Sequence, residues 1–174
     1  LEEILDPTEE RNGPLCSIYD KCGGCSLQHI PYPEQLKWKE TFVLEALSRI
    51  GGLEVEEVPV TASPDKAQYR NRMTFTLRRL RGGRVVAGFH GLHRPGHVID
   101  VRRECVLPEP EITSAWMSLR DNWGTGARRL PSGGRLRLTL RNSRSGVDLL
   151  IEGGKGTWNP KPLMTRVSPI STVW

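Results

Sequence analysis

The chain has 174 residues, enough to bury a sizeable core as one compact unit or one unit with an attached segment, and so needs no staples to fold. Its 37% apolar and 26% charged residues, with 18 Gly and 13 Pro, fit a somewhat polar, turn-rich globular domain. Lys and Arg number 25 against 20 Asp and Glu, a net charge of +5 that favours polyanionic partners. The absence of a membrane-length apolar stretch or leader pattern predicts a soluble, cytoplasmic protein with no membrane partner.

Residues 1–15 are acidic without a clear period and read as a linker or the residue of an N-terminal segment. Residues 16–31 form a glycine-containing loop dense in cysteine. From Tyr32 the pattern becomes helical: Pro33 suits the first turn, Leu36, Val43, Leu47 and Ile50 fall on one face, and Gly51-Gly52 ends the run. Lys37, Lys39 and Glu40 take its polar side, and Trp38 fits either core or edge. A β-leaning stretch over residues 55–60 leads to the breaker Ser63-Pro64.

Residues 70–79 alternate, with Met73, Phe75 and Leu77 facing one way and Arg72, Thr74, Thr76 and Arg78 the other, which predicts a half-buried strand with a basic outer face. Gly82-Gly83 reads as a hairpin turn into residues 84–89, and residues 97–101 as a further short strand ending near Cys105. Residues 109–123 predict a helix closed by Gly124. A second alternating strand opens at residues 132–134, with Leu136, Leu138 and Leu140 inward and Arg135, Arg137, Thr139 and Arg141 outward. Val147, Leu149 and Ile151 complete its hairpin. The tail over residues 153–174 shows little period. The expected fold is α+β, an antiparallel β-rich central domain over residues 53–160 with the cysteine loop at one edge and one or two packed helices. Residues 161–174 read as a connection to something further.

Two features carry chemistry. Arg70, Arg72, Arg78, Arg79, Arg81 and Arg84 form a run with no acidic residue among them. Its bland reading is a solvated strand face; its functional reading, shared by Arg135, Arg137 and Arg141, is contact with nucleic-acid phosphates. Phe89 and His90 fit stacking on an unpaired base, although a Phe beside Gly88 fits a core equally well.

The second feature is the cysteine set: Cys16, Cys22 and Cys25 lie within ten residues and Cys105 is distant. Three thiols from one loop closed by a far fourth suit a cuboidal iron–sulfur cluster, a 4Fe-4S centre, with Gly23-Gly24 letting backbone N–H groups approach sulfide. A four-cysteine zinc site is the alternative, although it more often uses two short-spaced pairs, and paired disulfides come third. His29 and His97 read as structural groups rather than ligands.

From Cys16 through Cys22-Gly23-Gly24-Cys25-Ser26-Leu27-Gln28-His29 to Tyr32, Gln35, Leu36 and Lys39, the chain resembles the iron–sulfur signature and following helix of the RNA (uracil-5-)-methyltransferases acting on 23S ribosomal or transfer RNA. Tyr69-Arg70-Asn71-Arg72, Gly88-Phe89-His90 and Val98-Ile99-Asp100-Val101 leading to Cys105 follow in the family's order. The resemblance is close over residues 16–105 and weak beyond. It implies S-adenosylmethionine as methyl donor in the intact enzyme. It also implies a catalytic cysteine that adds to uridine C6 and a glutamate base that removes the C5 proton, both in a C-terminal methyltransferase domain missing here. This chain alone is therefore expected to be inactive and to supply RNA binding and the cluster, with a helix at residues 32–52 that packs on the catalytic domain. A non-enzymatic alternative is a stand-alone four-cysteine metal-binding RNA-binding module.

Overall fold

The computed structural model describes residues 11–174, so residues 1–10 of the expected linker lie outside the described residues. The described residues divide into two compact units, 11–15 with 25–66, and Cys16–Gly24 with Ala67–Trp174.

In the first unit, the expected helix forms as α1 (Tyr32–Arg49), with Pro33 in its first turn. Gln35 ties its start to the preceding loop, its Nε2 donating to the carbonyls of Leu27 (3.0 Å) and Ile30 (2.9 Å). At the other end Gly52, with φ +62°, turns the chain so that the Leu53 N–H reaches the Leu47 carbonyl. No residue of α1 is buried; Val43 and Ile50 of the expected apolar face are exposed, as are Trp38 and Phe42, whose ring centroids lie 6.1 Å apart. The expected strand over residues 55–60 does not form. Glu54, Glu56 and Glu57 interrupt its apolar pattern and Pro59 removes a ladder donor, so its β-branched residues have no sheet to join.

The second unit is a six-stranded sheet in the order β3-β2-β1-β4-β5-β6, built from β1 (Arg72–Arg79), β2 (Val85–His90), β3 (Val98–Asp100), β4 (Arg135–Ser143), β5 (Gly146–Glu152) and β6 (Ile170–Val173). Neighbouring strands run antiparallel except β5 and β6, which are parallel. The sheet is thus mixed: β1 to β5, within residues 53–160, pair antiparallel as expected, the parallel β6 lies in the segment expected to be a connection, and the fold is α+β. The tail is also more structured than its weak period suggested. A short helix α3 (Lys161–Met164) carries the chain back to β6, and Leu163, Val167 and Ile170 are buried there. A four-residue edge strand is too short to show an alternation.

Helix α2 (Pro110–Asn122) covers one face of the sheet, burying Ile112, Ala115, Trp116 and Leu119 against Phe75, Leu77, Leu136, Leu138, Leu140 and Leu149. Trp116 stacks on Phe75 at 3.8 Å between centroids, and Phe75 stacks in turn on Phe89 at 5.1 Å. Buried Arg120 joins α2 to the β2–β3 edge. Its guanidinium donates to the carbonyls of Ala87 (2.9 Å) and Val101 (2.7 Å) and to the carboxylate of Asp100 (2.8 Å), and it lies over the rings of Trp116 and Trp123. Asp100 also accepts the Ala87 N–H at 2.7 Å, which closes the network. No helix among the described residues is long and apolar enough to cross a membrane.

Candidate nucleic-acid interface and cysteine loop

Because β1 and β4 pair in register, their outward residues meet as cross-strand partners: Arg72 with Arg141, Thr74 with Thr139, Thr76 with Arg137, and Arg78 with Arg135. Two of these partnerships place like charges directly opposite, an arrangement that costs stability in a sheet unless a counter-charge is supplied. Between them the Thr74 and Thr139 hydroxyls are hydrogen-bonded at 2.9 Å, and on the β5 side Glu152 lies 3.8 Å from Arg137. The Arg72/Arg141 and Arg78/Arg135 partnerships are exposed. On β5, Asp148 is the in-register partner of Arg141 as Glu152 is of Arg137, so the face is most purely basic at its Arg78/Arg135 end.

The other arginines divide. Arg70 precedes β1, its backbone pairing with Leu107 and Glu109 and its guanidinium lying over the Tyr69 ring. Arg81 and Arg84 are exposed on the turn into β2, where Gly82 and Gly83 both take positive φ. Arg79 is put to a different use. It is in phase with Met73, Phe75 and Leu77, and its guanidinium donates to the carbonyls of Gly126 (3.0 Å), Ala127 (2.8 Å) and Gly133 (2.5 Å). Partial burial holds its pKa below the usual arginine value. Phe89 likewise belongs to the core stack with Phe75.

At the Arg78/Arg135 end the sheet opens into a cleft of about 690 Å³ lined by Arg78, Arg79, His90, Pro95, Gly96, Gly134 and Arg135. The His90 ring is held by both nitrogens. The Pro95 carbonyl, 2.5 Å from Nδ1, can only accept, so Nδ1 carries a proton. Nε2 lies 3.3 Å from the Thr76 hydroxyl and 3.5 Å from the Arg135 guanidinium. Arg78 spans the cleft by donating to the Gly96 carbonyl at 2.8 Å.

The cysteine loop of the second unit docks on the β2–β3 connection. Gly23 N–H donates to the His90 carbonyl and Leu92 N–H to the Lys21 carbonyl, with Cys22 bridged to Gly91. A Cβ at Gly23 would sit 3.3 Å from the His90 carbonyl, which explains glycine at this close approach. The Gly23 N–H is thus taken by backbone; that of Gly24 points at Cys22 Sγ, 3.4 Å away. The buried Cys16 thiol donates to the Glu104 carbonyl at 3.2 Å, which sets the loop beside the segment that carries Cys105. In the first unit Gln28 Nε2 donates to Cys25 Sγ at 3.2 Å. All four cysteines are thiols, so the donor chemistry suits a soft metal centre. Among the described residues, however, no three His, Cys, Asp or Glu side chains are gathered as a metal-holding group.

Sequence reasoning missed the Arg120–Asp100 anchor and the cleft rim at residues 95–96. An acidic residue in the apolar run Val98-Ile99-Asp100-Val101 was the available signal for the first, since a charge there calls for a buried partner.

No family model matches the chain. It is 37% identical over 121 residues to an uncharacterized RNA methyltransferase of Thermosynechococcus vestitus, a match covering 68% of this chain and 26% of that protein. It is 33% identical over 153 residues to an uncharacterized RNA methyltransferase of Brucella suis, covering 88% of this chain and 35% of that one. The crystal structure of Pyrococcus abyssi tRNA (uracil-54, C5)-methyltransferase in complex with S-adenosyl-L-homocysteine is similar at a TM-score of 0.51 and 26% identity, over 86% of this chain and 34% of that one. By these relatives the chain belongs among the RNA methyltransferases, although it spans only 26% and 35% of the length of the two curated proteins. More narrowly, the chain belongs to the RNA (uracil-5-)-methyltransferase family.

Proposed function

We propose that this chain is the RNA-holding and cluster-bearing part of an enzyme that moves a methyl group from S-adenosylmethionine to C5 of a uridine in ribosomal or transfer RNA. The observation that carries the reading is the pairing of Arg72 with Arg141 and Arg78 with Arg135 across one exposed ladder. A face that sets like charges opposite one another is costly for the apo fold and is relieved when a polyanion lies on it. Its part in the reaction is to bind and orient the RNA, through Arg70, Arg72, Arg78, Arg135, Arg137 and Arg141. The methyl-transfer chemistry belongs to a C-terminal methyltransferase domain of the whole protein. Binding of the chain to a uridine-containing RNA stem–loop, measured across salt concentration, tests this. The log–log slope should be steep, and charge reversal at Arg72 and Arg78 should flatten it; an affinity indifferent to both removes the reading.

In the same reading Cys16, Cys22, Cys25 and Cys105 hold an iron–sulfur cluster, with zinc as the alternative occupant. The support is that Cys16 lies beside the Cys105 segment and that N–H groups of Gly24 and Gln28 point at Cys22 and Cys25 sulfurs, as hydrogen bonds to metal-bound thiolates do. When bound, such a group supplies a structural cross-link that fixes the loop against the β-rich unit, since methyl transfer moves no net electrons. Anaerobically purified protein should contain iron and sulfide and show broad visible absorbance that Cys105→Ala abolishes. Stoichiometric zinc without iron would reassign the centre, and neither metal would remove it.

A further inference from the structure

The cleft at the Arg78/Arg135 end of the ladder has more shape than phosphate steering requires. A basic strand face needs no cavity to attract a polyanion; this one ends in a hollow of about 690 Å³, within the size range of small-molecule pockets. A lone phosphate would leave most of it empty. Its lining is also of two kinds: Arg78, Arg79 and Arg135 are cationic, while His90 and Pro95 are the two ring-bearing residues. The His90 ring is pinned through Nδ1 to Pro95 and through Nε2 toward Thr76 and Arg135, so its face keeps a set orientation. Gly96 and Gly134 keep the remaining boundary open, since a Cβ at either would meet nothing within 4 Å.

We propose that this cleft is a single-nucleotide subsite, taking the phosphodiester of one unpaired nucleotide of an RNA strand on Arg78 and Arg135 and its base and sugar against His90 and Pro95. It rests on the RNA-binding reading and sharpens it: the two ends of the ladder differ in kind. Arg72 and Arg141 supply charge alone, whereas Arg78 and Arg135 supply charge at the mouth of a shaped site. A flat base suits the imidazole and pyrrolidine surfaces, as aromatic platforms suit bases in single-strand readers.

Gly96→Leu is the deciding variant, because it adds a bulky neutral side chain to a residue that lines the cleft, without changing charge and where the backbone has room. Anisotropy titrations of a uridine-rich, single-stranded RNA octamer would compare the 174-residue chain with Gly96→Leu, with Arg78→Gln/Arg135→Gln, and with the charge-matched Arg72→Gln/Arg141→Gln. Thermal melts would confirm that each is folded. The first two should bind about tenfold more weakly and the third distinctly less so, since it loses only about two phosphate contacts' worth of field. UMP serves as the small probe of the same chemistry. A His90 ring resonance that UMP shifts in the parent chain and not in Gly96→Leu shows that a free nucleotide suffices. A response to the octamer alone, again lost in Gly96→Leu, assigns the subsite to a nucleotide within a chain. If Gly96→Leu binds the octamer as the parent does, or the two double variants lose affinity equally, the subsite is overturned while the RNA-binding reading stands. No octamer binding by the folded parent chain overturns both.

Discussion

On one face of β1 and β4, Met73, Phe75 and Leu77 stand opposite Leu140, Leu138 and Leu136 under the ring of Trp116; on the other, Arg72 and Arg78 stand opposite Arg141 and Arg135 in solvent. The two faces share strands, register and backbone hydrogen bonds, yet their energies have opposite signs. Apolar partners removed from water stabilise the sheet, while arginines facing arginines work against it, offset only where Asp148 and Glu152 on β5 stand beside Arg141 and Arg137. A face that costs stability and is nevertheless built into both strands points to a role outside folding. Stability and polyanion binding should therefore separate by face.

The largest separation is expected at Phe75→Ala. Phe75 is 1% exposed and lies between Trp116 and Phe89, so truncation should lower the unfolding free energy by about 3–5 kcal/mol in urea titration. The salt slope of RNA binding, measured under conditions where the variant is folded, should stay at the parent value. A lowered slope would mean that the faces are not independent.

Arg120→Met comes next and asks whether an arginine can belong to the inner face. The substitution keeps an apolar stem but removes one of the two donors to each of the Ala87 and Val101 carbonyls, which keep the Val101 N–H and Trp116 Nε1, and leaves Asp100 without its cation. Since Asp100 is 42% exposed and can hydrate, the loss should fall near the low end of a broken buried ion pair, about 3 kcal/mol. RNA affinity should not change, although a cation has been removed.

Arg79 and the Arg72/Arg141 pair then make a matched contrast. Arg79→Met removes the guanidinium donors to the carbonyls of Gly126, Gly133 and Ala127, of which Ala127 keeps the Leu130 N–H, and should cost about 1–3 kcal/mol with a small change in RNA affinity. Arg72→Gln/Arg141→Gln should leave the melting temperature unchanged or slightly raised and reduce the salt slope by about two. The reverse pattern, binding lost at Arg79 and stability lost at Arg72 and Arg141, would break the division of labour between faces.

Much of that division was legible in the sequence. The alternation over residues 70–79 and 135–141 assigned each side chain of the ladder to its face, and the helix before Gly124 formed within a residue of its expected ends. Arg79 and Phe89 were legible too, had period been weighed above residue type: Arg79 is in phase with Leu77, and Phe89 with Ala87, whose partner is Leu77. The pairing of β1 with β4 was not legible, because register between distant strands is a tertiary fact, and it is register that turns scattered arginines into opposed pairs. The strand expected over residues 55–60 failed for the converse reason, since local β propensity without a neighbouring strand fixes nothing.

The smallest expected effect should leave both faces alone. His29, in the first unit, has its pKa lowered by burial and then by the Arg11 cation. In the unfolded chain the ring takes up a proton around the ordinary histidine value of 6.5, and in the fold only at lower pH. Below that value the unfolded state therefore binds more protons, and stability falls as pH drops through the window between the two pKa values, with no effect above it. Thermal melts between pH 7 and 5.5 should show a modest loss for the parent chain and less for His29→Gln, while the charge of the arginine ladder is constant across the range. A histidine variant that loses as much stability as the parent would place the acid sensitivity elsewhere, and a salt slope that moved with His29→Gln would tie the first unit to the binding face.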